Sequence, residues 1–171
     1  MTDFTVRSLT EDDWATYRDA RLEALRESPE AFVADLVTES GLPESEWRDR
    51  MARSHRMLAE EGAGRHLGVV SLREGTAEGD THADLFGLWV TPPARGTGIA
   101  TGLVRAAAVK AHEDGMTHLT YWVGTDNGRA VAFASGFGFR PTDNRRPMRV
   151  KSRDDGDEEI EMVLPLLADR T

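Results

Sequence analysis

One stretch constrains this chain more than any other: Leu88-Trp89-Val90, then Thr91-Pro92-Pro93-Ala94, then Arg95-Gly96-Thr97-Gly98-Ile99-Ala100. The apolar triplet closes a strand predicted from Asp84 to Val90, and two consecutive prolines cannot continue a ladder, so the chain must leave the sheet there. From Gly98 to Glu113 apolar residues recur at helical spacing among many alanines, which predicts the strongest helix of the chain, ending near Asp114-Gly115. Glycines at 96 and 98 let the backbone turn tightly and point successive N–H groups outward. The helix start adds donors with no intrahelical partner and the positive end of the dipole. Such a strand, turn and helix suits a phosphate. A dinucleotide loop, Gly-x-Gly-x-x-Gly, needs glycine where this chain has Thr101, and it opens a βαβ unit instead of following a late strand. A nucleoside-triphosphate loop needs Gly-Lys-Ser/Thr, which does not follow. A glycine turn that serves only close packing is the plain alternative.

The remaining elements are read around this one. Phe4 to Leu9 alternates apolar and polar residues, and Thr10 with Asp13 has the pattern of a capping box opening a helix through Trp14, Tyr17, Leu22 and Leu25. Ser28-Pro29-Glu30 stops that helix, and a second short one is expected after Pro43 with Trp47 and Met51 inward. Arg56 to Glu60 and Arg65 to Arg73 read as a hairpin around Glu61-Gly62-Ala63-Gly64. Glu74 to Thr81 is an acidic, glycine-containing turn. Leu119 to Val123 is a strand, Arg129 to Ser135 a short helix, Phe139 the start of a strand, and Glu158 to Pro165 the last one. Asp143 to Asp157 reads as a long charged loop. The order β-α-α-β-β-β-α-β-α-β-β predicts an α/β fold whose mixed, mostly antiparallel central sheet is flanked by helices.

Length and composition narrow the function. With 171 residues, 39% of them hydrophobic, one core suffices, so residues 1–171 are expected to form one domain. Thirty acidic against 21 basic residues give a formal charge of -9, which disfavours nucleic acid and favours cationic or neutral ligands. No cysteine is present, which excludes disulfides, thiolate metal sites and a cysteine nucleophile and suits a reducing cytoplasm. No apolar run approaches membrane-spanning length, and the first ten residues lack a leader pattern, so no membrane partner is expected. The five histidines show no metal-binding spacing, and no Gly-x-Ser-x-Gly elbow is present, so neither a metal nor a serine hydrolase is expected.

The glycine turn has a second motif downstream. Val90-x-Pro92-x-x-Arg95-Gly96-x-Gly98-x-Ala100 resembles the acetyl-CoA signature of the GCN5-related N-acetyltransferases (GNAT), and Asn127-x-x-Ala130-x-x-Phe133 followed by Gly138-Phe139 resembles that family's second conserved stretch at the matching separation. The diagnostic part lies between Leu85 and Phe139; the N-terminal third matches only in layout. The resemblance implies a sheet splayed at the acetyl-CoA site. The pyrophosphate would sit on the N–H groups of Gly96, Thr97, Gly98, Ile99, Ala100 and Thr101 beside Arg95, and the pantetheine arm would run along Leu88, Trp89 and Val90 like an added strand. An N–H near Leu88 to Val90 would stabilise the developing oxyanion, Asn127 would bond the arm, and Ala130 and Phe133 would pack beside it. Taken by themselves, Asn127 is equally a turn residue or helix cap and Phe133 equally core.

Acyl transfer to an amine needs a base for the ammonium and an acid for the leaving thiolate. Many relatives place a tyrosine seven residues after the asparagine and some a glutamate five residues before it; here these positions are Ala134 and Trp122. Asp84, and behind it His82, are the candidate bases, since alternation puts both on one face with Phe86 and Leu88. Ser135 and Tyr121 are the candidate acids. The acceptor is expected to be a small-molecule or peptide amine, in a pocket including Tyr17, Phe32 and Trp47 and the charged segment from Arg145 to Arg153. The acidic balance points to a cationic acceptor, whereas Arg145, Arg146, Arg149, Lys151 and Arg153 would suit an anionic one. A homodimer through the last strands is plausible within the resemblance. A non-catalytic acyl-CoA-binding domain on the same scaffold is the alternative that the missing tyrosine keeps open.

Overall fold

Apolar side chains fall on both faces of one sheet, and the two faces are covered by different helices. The computed structural model describes residues 3–29, 32, 34–62, 64–147 and 158–166. Its strands are β1 (Thr5–Ser8), β2 (His55–Glu61), β3 (Arg65–Glu74), β4 (His82–Val90), β5 (His118–Gly124), β6 (Arg140–Pro147) and β7 (Glu158–Pro165). The helices are α1 (Trp14–Glu27), α2 (Leu36–Ser40), α3 (Glu44–Arg53), α4 (Ile99–Glu113) and α5 (Gly128–Phe137). The sheet order is β1-β2-β3-β4-β5-β7-β6, and only the β4–β5 pair is parallel. The mixed, mostly antiparallel architecture expected from the sequence is what forms.

One face, formed by alternate residues such as Met57, Val70, Leu85 and Leu119, packs against Ile99, Leu103, Ala107 and Ala111 of α4 and against α5. The alanines of α4 let its backbone approach the sheet closely, which is why they recur on that stripe. The opposite face carries Leu58, Val69 and Trp89, covered by Tyr17, Ala20 and Ala24 of α1 and by Trp47 of α3. The Asp13 carboxylate accepts from the Thr10 N–H (2.8 Å) and hydroxyl (3.1 Å), and a single 3-10 turn there leads into α1. Among the described residues no helix is long and apolar enough to cross a membrane.

Three sequence expectations need correction. The short helix α2 lies in a stretch that the sequence does not mark as helical; at five residues it has no periodic signature, and its one sign is Asp35, whose carboxylate accepts from the Thr38 N–H at 2.8 Å. Asp143 to Pro147 is not loop but part of β6, with Arg145 opposite Ile160 and Arg146 opposite Glu159. As an edge strand β6 tolerates charge, so the alternation that reveals a half-buried strand is missing. The rest of the charged segment, 148–157, including Arg149, Lys151 and Arg153, lies outside the described residues. Third, β4 does not alternate throughout. Its register against β3 shifts between Val69 and Ser71, and Gly87 has φ +64°, a bulge that only glycine adopts cheaply. Asp84 and Phe86 therefore share one face, while Leu88 joins the α4 core on the other.

Candidate functional site

β4 and β5 part company. They pair only over His82–Leu85 against His118–Tyr121, while β5 goes on to pair with β7 as far as Gly124. Among the described residues the β4 edge facing β5 has no strand partner from Phe86 to Val90, which leaves its N–H and C=O groups available apart from the Val90 carbonyl, held by Arg95. The splay opens a cleft of about 610 Å³ lined by Asp84, Leu88, Trp89, Tyr121, Trp122 and Glu159, among others.

At the C-terminal end of β4 a second cleft, about 640 Å³, runs from Val90 and Arg95 over Gly96, Gly98, Ile99, Ala100 and Thr101 to Arg129 and Phe133. Gly96 and Gly98 have φ +80° and +90°, and nothing lies within 4 Å of where a Cβ would stand on either. Among the described residues no backbone carbonyl receives the N–H groups of Gly96 to Thr101; the first helical bond is from Gly102 to the Gly98 carbonyl at 3.0 Å. Six consecutive donors at a helix N-terminus with open space before them fit an anionic group such as a pyrophosphate. Two side chains hold the turn. The Thr97 hydroxyl donates to the Ala94 carbonyl, and the Arg95 guanidinium donates to the Val90 carbonyl (3.0 Å) and to the Ser28 hydroxyl (3.4 Å), which also accepts from the Trp89 indole at 3.3 Å.

The sequence-predicted residues separate into groups. Leu88 and Trp89 line the splay; Val90, Arg95, Gly96, Gly98, Ile99, Ala100, Thr101 and Phe133 line the glycine cleft. Thr97 braces the turn from behind, Ala130 packs in the core, and the Asn127 side chain caps α5 by accepting from the Ala130 N–H at 3.1 Å. Asp84 and Tyr121 line the same cleft from adjacent strands. Among the described residues no hydrogen bond or ion pair engages the Asp84 carboxylate or the Tyr121 hydroxyl. Burial pushes the Tyr121 phenol above its usual pKa, and the Glu159 carboxylate adds to the shift, so the group stays protonated. Ser135 is exposed on α5 and lines neither cleft, one helical step past the buried Ala134; the structure does not bring it to Tyr121. His82 stacks on His118 at 4.9 Å, at the closed end of the β4–β5 pair. Trp47 is buried and lies behind the site instead of lining it.

Several residues now stand out that were not singled out. Beyond Phe86 and Gly87 the splay continues into a cavity of about 250 Å³ lined by Tyr17, Phe32 and Phe86 and by Arg21, Arg50, Arg53, Arg56 and Arg73, with Glu39 as the carboxylate among them. The charge of the whole chain said nothing of this local sign. An arginine among buried strand positions, as in Arg56-Met57-Leu58-Ala59, is the signal that sequence reading passes over. Burial alone would raise the Glu39 carboxyl, but Arg21 (3.1 Å) and Arg50 (2.9 Å) outweigh it and hold it below the usual range. Burial pushes the Arg56 guanidinium down, and Arg21, Arg73 and Arg50 push the same way; a guanidinium is basic enough to keep its charge. Arg146, bonded to Glu159 at 2.9 Å, stacks 4.2 Å from the Trp122 ring at the mouth of the splay. Beside Arg73, at the start of β2, the end of β3 and just past α4, His55, Glu74 and Asp114 gather with ligand atoms within 4.8 Å of one another, a grouping their sequence spacing hides.

The family model described as Acetyltransferase (GNAT) family matches residues 7–139. Among solved structures, an acetyltransferase of the GNAT family from Streptococcus pneumoniae superposes with a TM-score of 0.75 at 18% identity, covering 95% of this chain and 99% of that one. YncA from Salmonella typhimurium, solved with its cofactor acetyl-CoA, gives 0.71 at 16% identity over 98% and 96%. The PaiA N-acetyltransferase from Thermoplasma acidophilum, in complex with coenzyme A, gives 0.66 at 16% over 94% and 98%. No match to a curated protein was found. At these identities the structural likeness establishes the fold.

Proposed function

This chain belongs to the GNAT acetyltransferase family, and from that premise we propose that it transfers an acetyl group from acetyl-CoA directly to a primary amine. The observation that carries the proposal is the splayed β4 edge leading straight into the unpartnered N–H groups of Gly96 to Thr101. Neighbours solved with acetyl-CoA and with coenzyme A support the same co-substrate. The pyrophosphate would be held by those N–H groups and the pantetheine amides by the open edge of Leu88 to Val90. Acetyl-CoA supplies the acetyl group as a thioester.

The chain's own residues then have three tasks. Main-chain N–H groups of β4 beyond the bulge are fixed in place and stabilise negative charge on the carbonyl oxygen without reorganising. Asp84, unpaired and on the cleft, accepts the proton that an ammonium must lose before its nitrogen bonds to the acetyl carbon. Tyr121, kept protonated by burial, gives its proton to the sulfur as the C–S bond breaks. It takes over on the neighbouring strand the role that Ala134 cannot serve.

Calorimetric titration with acetyl-CoA, with NAD as control, tests the cofactor assignment, and thiol release with an amine panel tests turnover. Micromolar binding of acetyl-CoA alone together with amine-dependent thiol release is expected. Binding without release for any amine would favour an acyl-CoA-sensing domain, and no binding would return the glycine turn to a packing role.

A further inference from the structure

The arginine-lined cavity beyond Gly87 carries more positive charge than its own carboxylate neutralises. Glu39 serves both Arg21 and Arg50, and Arg53, largely exposed, reaches Glu46 at 3.4 Å. Arg56 and Arg73 remain. Arg56 is 5% exposed, donates to the Ser71 hydroxyl (2.6 Å) and the Arg50 carbonyl (3.0 Å), and has a buried Nε with no partner. Arg73 meets the Ser54 hydroxyl at 3.4 Å and stacks over Phe86 at 4.8 Å. Among the described residues neither guanidinium forms an ion pair, although Asp84 is the cross-strand neighbour of Arg73. Arg73 is exposed at the end of β3, but Arg56 is buried, and a buried charge without a counter-ion is costly and is tolerated where a ligand completes it.

Resting on the acetyltransferase reading above, we infer that the acceptor is a small amine carrying its own anionic group, of the amino-acid class, with the anion held by Arg56 and Arg73 and the amine presented at Asp84. Arg56 also lies over the rings of Tyr17 (4.7 Å) and Phe86 (5.5 Å), which flank its guanidinium, the cation best matched to a carboxylate or phosphonate. The cavity is below the size of ordinary ligand pockets, so it takes a head group and not a chain. Asp84 and Phe86 are two residues apart on one face of β4, about 7 Å, which places amine and anion a few bonds from each other. Long polyamines fit neither the charge nor the span. The -9 of the whole chain, which pointed to a cationic acceptor, does not set the local sign of this cavity, whose lining holds five arginines and one carboxylate.

The test has two independent arms. In the first, thermal shift of the acetyl-CoA-free protein is measured with glutarate and methylphosphonate against glutaramide. Stabilisation by the anions and not the diamide, lost in Arg73→Gln, is expected; equal response in the variant, or none in the parent, overturns the inference whatever acetyl-CoA does. In the second, with acetyl-CoA saturating, alanine, glutamate, methionine and 2-aminoethylphosphonate are compared with the α-carboxamides, ethanolamine and putrescine by kcat/KM. The anionic members are expected to lead by about tenfold to a hundredfold, with the lead abolished in Arg73→Gln and partly kept in Arg56→Lys, whose charge remains without the fork. Carboxylate or phosphonate preference identifies the anion. A lead for putrescine or the amides, or acetylation confined to peptides, overturns the assignment. Failure of acetyl-CoA to bind in calorimetry would instead remove the acetyltransferase reading and leave the first arm standing.

Discussion

The two clefts at the ends of the Gly87–Val90 segment are built in opposite ways. The glycine cleft is made of main chain, from residues nearly consecutive in sequence, with side chains only bracing it: Thr97 from behind and Arg95 tied to Val90 and Ser28. The arginine cavity is made of side chains from α1, α3, β2 and β3, brought together by topology and held by one buried carboxylate, Glu39. A main-chain site is specified by the conformations its glycines allow and changes little as long as they stay. A side-chain site of scattered residues can be rewritten one substitution at a time on an unchanged sheet, which is where variation in acceptor belongs.

That contrast can be broken by substitution. The largest effect is expected from Gly98→Glu, which puts bulk and negative charge before the free N–H groups: acetyl-CoA binding should fall at least a hundredfold by calorimetry, while Gly98→Ala, bearing only the cost of φ +90°, about 1–2 kcal/mol, should still bind. Next, Asp84→Asn should lower kcat about a hundredfold at neutral pH with acetyl-CoA affinity unchanged. If kcat holds, proton acceptance belongs elsewhere on the cleft. Glu39→Gln should cost about 2 kcal/mol of stability in denaturant unfolding, because it loosens Arg21 and Arg50 together. The parent's Glu39 contribution should be complete above the ordinary glutamate pKa near 4.3 and be lost as pH falls through the depressed native value, since only the unfolded chain then takes up the proton readily. A loss that instead grew as pH rose would contradict the pairing. The smallest effect is expected from Asn127→Ala, about 1 kcal/mol for a lost helix cap, with KM for acetyl-CoA unmoved if capping is all that Asn127 does.

The same contrast explains what could be read from the sequence. The β4–turn–α4 unit was legible because prolines, glycines and an alanine-rich stripe sit side by side and each acts locally. The face assignment of Leu88 failed because one glycine inserted a bulge, and the β6 segment from Asp143 to Pro147 was missed because an edge strand carries no apolar alternation. A linear offset points to Ser135, but a helix turns each successive residue by about 100°, so the neighbour of a buried Ala134 faces away. Arg21, Arg56 and Arg73 converge only after the sheet and α1 have packed, and no spacing rule links them.

The short pairing of β4 with β5 divides the sheet mechanically. Four register pairs, His82–Leu85 with His118–Tyr121, join a four-stranded plate to a three-stranded one. Past that seam the plates are joined through α4, α5 and the core rather than by ladder bonds. Amide exchange should register this as a step within one strand, slow at the start of β4 and fast on its β5-facing edge beyond Leu85. A molecule laid along that edge would be a strut between the plates, and the step would shrink as it binds.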